Sequence, residues 1–291
     1  MRSPRGRRRS VSVYDLHQHL LPEHVLSGLA ARRSPPRLRG RRLDLPGEPP
    51  STLDPADHAL DARLKRLDAA GIDIAVVSLP PTLSLPPDLV DAYHEGIVEV
   101  AAAADGRILP LAAGVAGEGF VGSSVPAEVL LDLDRLAPLA AELERKGRFL
   151  FVHPGPAHSP ERPPWWPAVV DYTAQMQAAY FAWLAGGLGR WPRLPVLFAI
   201  LAGGAPFQLE RLVCRGGDLR PALQPTLFLD TASYGRRALE LSFSTFGVAS
   251  LVFGSDFPVV DPRMGLRAVG SFGDAVTSML CQENPRRLLA L

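Results

Sequence analysis

One pattern repeats along the chain from residue 11 to residue 258: a short apolar run, often β-branched or aromatic, followed by a stretch with helical periodicity. "VSVYDL" (11–16) reads as a buried strand. Further strands are expected at "IDIAVVSLP" (72–80), 107–114, a short segment at 119–123, "RFLFVHPG" (148–155), "VLFAILAGG" (196–204), "TLFLDTAS" (226–233) and "LVFGSDFP" (251–258). Between the first two, Leu60, Leu64 and Leu67 recur at a helical period in a segment that Gly71 ends. Helices are also expected over 88–104, 134–146 and about 165–186. Strands that read as continuous apolar runs belong to a parallel sheet covered on both faces. About eight such units in 291 residues fit an α/β fold of the closed (β/α)8 TIM-barrel type, which commonly takes about 250 residues. An open doubly wound sheet is the runner-up, but no strand leads into a glycine-rich phosphate loop. Residues 23–56, rich in Pro, Arg and Gly with little periodicity, read as a long loop.

Charge and composition narrow the function classes. A net charge of +1 gives no overall field to attract nucleic acid or an anionic membrane. "MRSPRGRRRS" (1–10) reads as a disordered, solvated basic tail ahead of a single barrel domain over 11–291, with no apolar segment of signal-peptide length behind it. The longest uncharged apolar stretch, "LPVLFAILAGGAPF" (194–207), is shorter than the roughly 20 residues of a membrane span and carries two prolines and two glycines. Cys214 and Cys281 form no CxxC pair, which fits a reducing cytoplasm. The expectation is a cytoplasmic protein whose partner is a small molecule.

Four polar residues fall at expected strand ends. His17 and His19, in "YDLHQHLLP", end the first strand; His153 ends "FLFV"; Asp256 ends the last strand in "FGSDFP". On a strand, residues i and i+2 share a face, so His17 and His19 project together while Gln18 points away. Taken singly, each has a plain reading: HxH occurs by chance, a lone His is usually a satisfied polar residue, and Asp before Phe-Pro can cap a turn. Together they are what one barrel mouth can gather, because the C-terminal strand ends converge there. Three imidazole nitrogens and a carboxylate oxygen suit Zn²⁺ or another divalent transition metal, with a position left for water or substrate.

The ordered set formed by the HxH, the "HPG", the "GG.P" after the next strand, the "GSDFP" and the closing "ENPRRLL" resembles the amidohydrolase superfamily. Its closest likeness is to the amidohydrolase-related branch of aminocarboxymuconate-semialdehyde decarboxylase and the resorcylate-type decarboxylases. The resemblance implies a (β/α)8 barrel holding one divalent metal, Zn²⁺ or Mn²⁺, on His17, His19, His153 and Asp256. It implies non-oxidative decarboxylation of a small aromatic or unsaturated acid, or hydrolysis of a C–N, C–O or C–C bond, with Asp256 handling the proton. Two-metal members bridge their ions with a carboxylated strand lysine. Here Lys65 and Lys146, the only lysines, both fall in expected helices, so the site should be mononuclear. Relatives of this kind often pair outside the barrel, and the "PPWWP" segment would serve either a homodimer contact or a pocket wall.

The chain departs from the resemblance at one place. Where the family reads H-x-G-G after the sixth strand, this chain reads "FAILAGGAPF", with Leu201 in the histidine's place. Asp256 then acts as base alone, or Ser233 or Tyr234 at the next strand end supplies the missing contact, or the barrel binds a metal or ligand without turnover. For an acidic substrate, Arg39 or its neighbours Arg37, Arg41 and Arg42 are candidates for a carboxylate clamp, against the plainer reading of solvated surface residues.

Overall fold

A computed structural model of the chain describes residues 12–291. The basic tail expected over 1–10 lies outside the described residues. Eight strands form the barrel: β1 Tyr14–His19, β2 Ile74–Ser78, β3 Ile108–Ala113, β4 Gly122–Pro126, β5 Phe149–His153, β6 Val196–Phe198, β7 Leu227–Asp230 and β8 Leu251–Val252. Each is parallel to the next. The residues after β8 return to β1. The Leu16 N–H donates to the Phe253 carbonyl at 2.9 Å, Asp256 N–H to His17 at 2.8 Å, and His19 N–H to Phe257 at 2.7 Å. This seam closes the barrel and brings Asp256 beside the histidine pair.

The strands are apolar throughout because each is covered on both sides. Phe149, Leu150, Phe151 and Val152 all have no exposed surface, and each such side chain contributes roughly 1.5–3 kcal/mol on burial. The helices Leu60–Ala70, Pro87–Ala103 and Leu133–Lys146, with the helical stretch 167–190, stand where periodicity places them. Lys65 and Lys146 both lie on these helices and not on a strand.

Three differences from the sequence reading have physical causes. The segment 23–56 is not a plain loop. It contains a helix, Glu23–Ala31, and an antiparallel sheet of Arg37–Arg39, Arg42–Asp44 and Ser51–Thr52. Val25, Leu26 and Leu29 are the buried helical stripe, and Leu38 and Leu43 anchor the small sheet, but flanking prolines and arginines mask both patterns. The fourth strand begins at Gly122 and not at 119, because the small residues Gly122, Ser123 and Ser124 carry little strand propensity. The sixth strand stops at Phe198, six residues short of the expected end.

Ile200, Leu201, Ala202, Gly203 and Gly204 follow with φ between +47° and +83°. A left-handed non-glycine residue costs about 1–2 kcal/mol, so this turn is strained and its surroundings must hold it. The Ile200 N–H donates to Asp230 at 2.9 Å, and the Gln177 amide donates to the Gly203 carbonyl at 2.6 Å. Gly203 lies so close to the 167–190 helical stretch that a Cβ there would sit 2.2 Å from the Thr173 carbonyl oxygen.

Candidate metal centre

β1 carries a bulge. Asp15 pairs with Ala75 but Gln18 pairs with Val77, so one extra residue is accommodated between them. Bulges re-aim side chains next to functional sites, and here His17 and His19 both face the barrel mouth. Gln18 turns outward, where its amide donates to Asp15 at 2.7 Å and accepts from Arg63 at 2.9 Å. Arg63 is fully buried, donates also to the His19 carbonyl at 2.7 Å, and lies 4.6 Å over the Phe257 ring. It therefore braces both sides of the closing seam. Burial lowers its pKa to about 10, opposed by the charges of Asp15 and Asp57.

The rings of His17, His19 and His153 meet edge to face, with centroids 4.9–5.1 Å apart and planes 83–85° from parallel. Each Nδ1 is engaged by the protein. His17 Nδ1–H donates to Asp230 Oδ2 at 2.7 Å, His19 Nδ1–H to the Ser78 hydroxyl at 3.1 Å, and His153 Nδ1–H to the Pro154 carbonyl at 2.9 Å. These bonds fix the tautomer and leave each Nε2 lone pair for the centre. His17 Nε2 and His19 Nε2 are 3.2 Å apart, and Asp256 Oδ1 lies 3.5 Å from the first and 3.2 Å from the second. One ligand atom from each of His17, His19, His153 and Asp256 lies within 4.8 Å of the others. Among the described residues this is the one such group, and the helical positions of both lysines leave it a single-ion site.

The electrostatics agree with a cation at this point. Burial drives His19 below its ordinary value and His153 well below it, so both are neutral imidazoles. Burial also acts to lower His17, but the charge and hydrogen bond of Asp230, together with Asp256, outweigh it and raise that ring to about 9. The site is built to attract positive charge to His17 Nε2. Donor type, fixed tautomers and convergence all fit a divalent ion on three nitrogens and one oxygen.

Asp256 owes its place to its backbone. Its φ is +64°, a conformation Asp tolerates better than most residues, and its N–H is pinned to His17 in the seam. Two residues before it, Gly254 lets the seam close: a Cβ there would stand 2.7 Å from His17 Cβ and 3.0 Å from Asp230 Cβ.

The other candidates are not gathered here. Ser233 is exposed with φ +66°. Tyr234 and the buried Leu201 line a small apolar cavity of about 50 Å³ with Phe207 and Leu241. Arg39 is exposed and donates to the Ala30 and Arg32 carbonyls, while Arg37 and Arg42 pair with Asp44 and Arg41 with Asp54. Asp230 is the residue that sequence reasoning missed. It ends β7 in "FLDTAS", and the strand-end criterion that found His153 and Asp256 would also have found it.

A family model described as amidohydrolase matches residues 14–291. The 2-amino-3-carboxymuconate-6-semialdehyde decarboxylase of Dictyostelium discoideum is 26% identical over 190 residues, covering 59% of this chain and 52% of that protein. The match thus spans about half the length of that curated relative. The IDCase of Metarhizium anisopliae, solved in apo form, superposes with a TM-score of 0.80 at 20% identity, over 96% of this chain and 97% of that one. A dihydroxybenzoic acid decarboxylase from a Polaromonas species, solved with bound manganese and 2-nitroresorcinol, gives 0.72 at 16% identity over 97% of each chain. At these identities the two structures establish the likeness of the fold.

Proposed function

This chain belongs to the amidohydrolase family, and on that premise we propose that it is a metal-dependent decarboxylase, releasing CO₂ from a small aromatic or unsaturated carboxylic acid. The observation that carries the reading is the convergence of three tautomer-fixed imidazoles and Asp256 at the closing seam. His17, His19, His153 and Asp256 would hold one divalent ion, zinc by the character of the donors, with manganese as the other candidate. Bound there, the ion supplies a fixed positive charge that holds the substrate's carboxylate or a neighbouring ring oxygen.

The chain's own residues account for the proton. Asp256, in its protonated form, gives its proton to the ring carbon bearing the carboxylate. The C–C bond then breaks, its electron pair stays with the ring, CO₂ leaves, and Asp256 regains a proton from water. Asp256 keeps partial exposure, with 16% of its side chain accessible, whereas the side chains of His17 and His19 are 0% and 5% accessible. A substrate therefore meets the carboxylate first, and water can recharge it. No strand-end histidine assists at β6, where Leu201 packs in its apolar cavity, so the proton work rests on Asp256 alone.

The same reading makes the protein a cytoplasmic homodimer. The exposed thiol of Cys214 suits a reducing compartment, and the exposed Trp165 and Val169 offer apolar surface for a second subunit. Among the described residues no helix is long and apolar enough to cross a membrane.

The test is CO₂ release from a panel of hydroxylated benzoates and unsaturated acids, with the protein loaded with Zn²⁺ or Mn²⁺ and after chelation. Release that requires the metal supports the reading. Hydrolysis of amide or ester substrates by the loaded protein, with no acid on the panel losing CO₂, would overturn it.

A further inference from the structure

The loop between the second and third strands of the 23–56 insertion reaches the exit of β5. The Ser159 N–H donates to the Gly47 carbonyl at 2.7 Å, and the Ala157 N–H donates to Glu48 Oε1 at 2.9 Å. Glu48 Oε2 accepts the hydroxyl of Tyr172 at 2.8 Å. Tyr172 opens the helix Tyr172–Ala182, and one turn later Gln175 accepts from the Gly155 N–H at 2.8 Å and donates to the Pro156 carbonyl at 3.0 Å. Gly155 is two residues from His153. Glu48 and Tyr172 therefore meet beside the metal centre, on the segment that leaves its third imidazole, and both keep some exposed surface.

We propose, building on the decarboxylase reading above, that Glu48 and Tyr172 select the substrate: the site takes a monocarboxylic acid with a hydroxyl or N–H donor on its ring and turns away dicarboxylic acids. Tyr172 has one proton and spends it on Glu48, so its oxygen faces a ligand as an acceptor. Glu48 adds a second acceptor and a negative charge. Burial first, then the charge and hydrogen bond of Glu48, then the charge of Asp256 hold the Tyr172 phenol above its ordinary range, so it stays protonated. That Asp256 acts on this hydroxyl also marks how near the pair stands to the centre. The arginines that would welcome a second carboxylate are engaged elsewhere: Arg37 and Arg42 on Asp44, Arg41 on Asp54, and Arg39 on backbone carbonyls. A ring donor finds two acceptors here, whereas a second carboxylate finds acceptors against acceptors and like charge against like.

The experiment is calorimetric titration of the full chain, first with Mn²⁺ and then, Mn²⁺-loaded, with 3-hydroxybenzoate, benzoate and isophthalate. The wild type should bind 3-hydroxybenzoate at least about tenfold more tightly than isophthalate. Glu48→Gln keeps an oxygen for the Ala157 N–H but loses the charge, and should narrow that ratio with Mn²⁺ binding unchanged. Tyr172→Phe should weaken 3-hydroxybenzoate and leave benzoate where it was. A role limited to stapling the two loops would leave the Glu48→Gln ratio where the wild type has it, which overturns the proposal. So does isophthalate binding as well as 3-hydroxybenzoate, or neither binding to Mn²⁺-loaded protein; the metal centre survives all three results. Failure to take up Mn²⁺ at all overturns both readings together.

Discussion

Replacing Asp256 by Asn lowers the rate constant of CO₂ release by about 10²–10⁴-fold, the usual weight of a positioned acid–base group. The substitution is close to isosteric and Asn tolerates φ near +64° as well as Asp does. The seam contact to His17 is made by the backbone N–H and is kept. An amide oxygen can still offer a lone pair to a metal, but the group has no proton to give to a ring carbon. The variant should therefore unfold at the wild-type temperature and take up metal at raised concentration, while kcat falls. Steady-state kinetics at saturating Mn²⁺ reads the split. A kcat within about fivefold of wild type would move the proton to another residue. With Leu201 buried in its apolar cavity, this chain has fewer groups to compensate than a barrel with a strand-end histidine at β6.

The second large effect is expected at a residue that touches neither metal nor substrate. Asp230→Asn should weaken Mn²⁺ or Zn²⁺ binding by about 10–100-fold, the range found when a partner of a metal-bound histidine is removed. Asp230 accepts three hydrogen bonds and gives none: Oδ2 from His17 Nδ1, and Oδ1 from the N–H groups of Ile200 and Ala232 at 2.9 and 3.0 Å. An amide has one acceptor oxygen, so its NH₂ must face one or more of these donors. Either His17 loses the bond that fixes its tautomer, or the left-handed turn at 200–204 loses the bond at its entrance. Competition titration against a chromophoric chelator gives the affinity, and an unchanged value would reduce Asp230 to a packing residue. Thermal unfolding should fall as well, because the pair is fully buried and a lone partner left there is costly.

These two residues show what the chain makes legible. Asp256 and the three histidines could be read because period-2 geometry and strand-end position follow directly from the pattern, and the barrel then has only one place to bring them together. The barrel itself was legible for the same reason, since doubly covered strands must be apolar along their length. Asp230 was passed over although it ends β7 as Asp256 follows β8. A carboxylate that orients a histidine looks no different in sequence from one that caps a turn. Glu48 and Tyr172 could not be paired at all, because residues 124 positions apart meet only through tertiary packing. The insertion hid its helix and small sheet behind proline and arginine. The end of β6 was misjudged because Ile200, Leu201 and Ala202 favour a strand by composition, yet Asp230, Gln177 and the close contact at Gly203 hold them left-handed.

The claim on which the account rests is that His17, His19, His153 and Asp256 hold one divalent ion. Elemental analysis of the purified chain by mass spectrometry, with His153→Ala alongside, tests it most directly. The account predicts about one equivalent of zinc or manganese per chain, lost in the variant while the fold remains. Protein that stays metal-free even after incubation with either ion, or a variant that keeps the full equivalent, would contradict it.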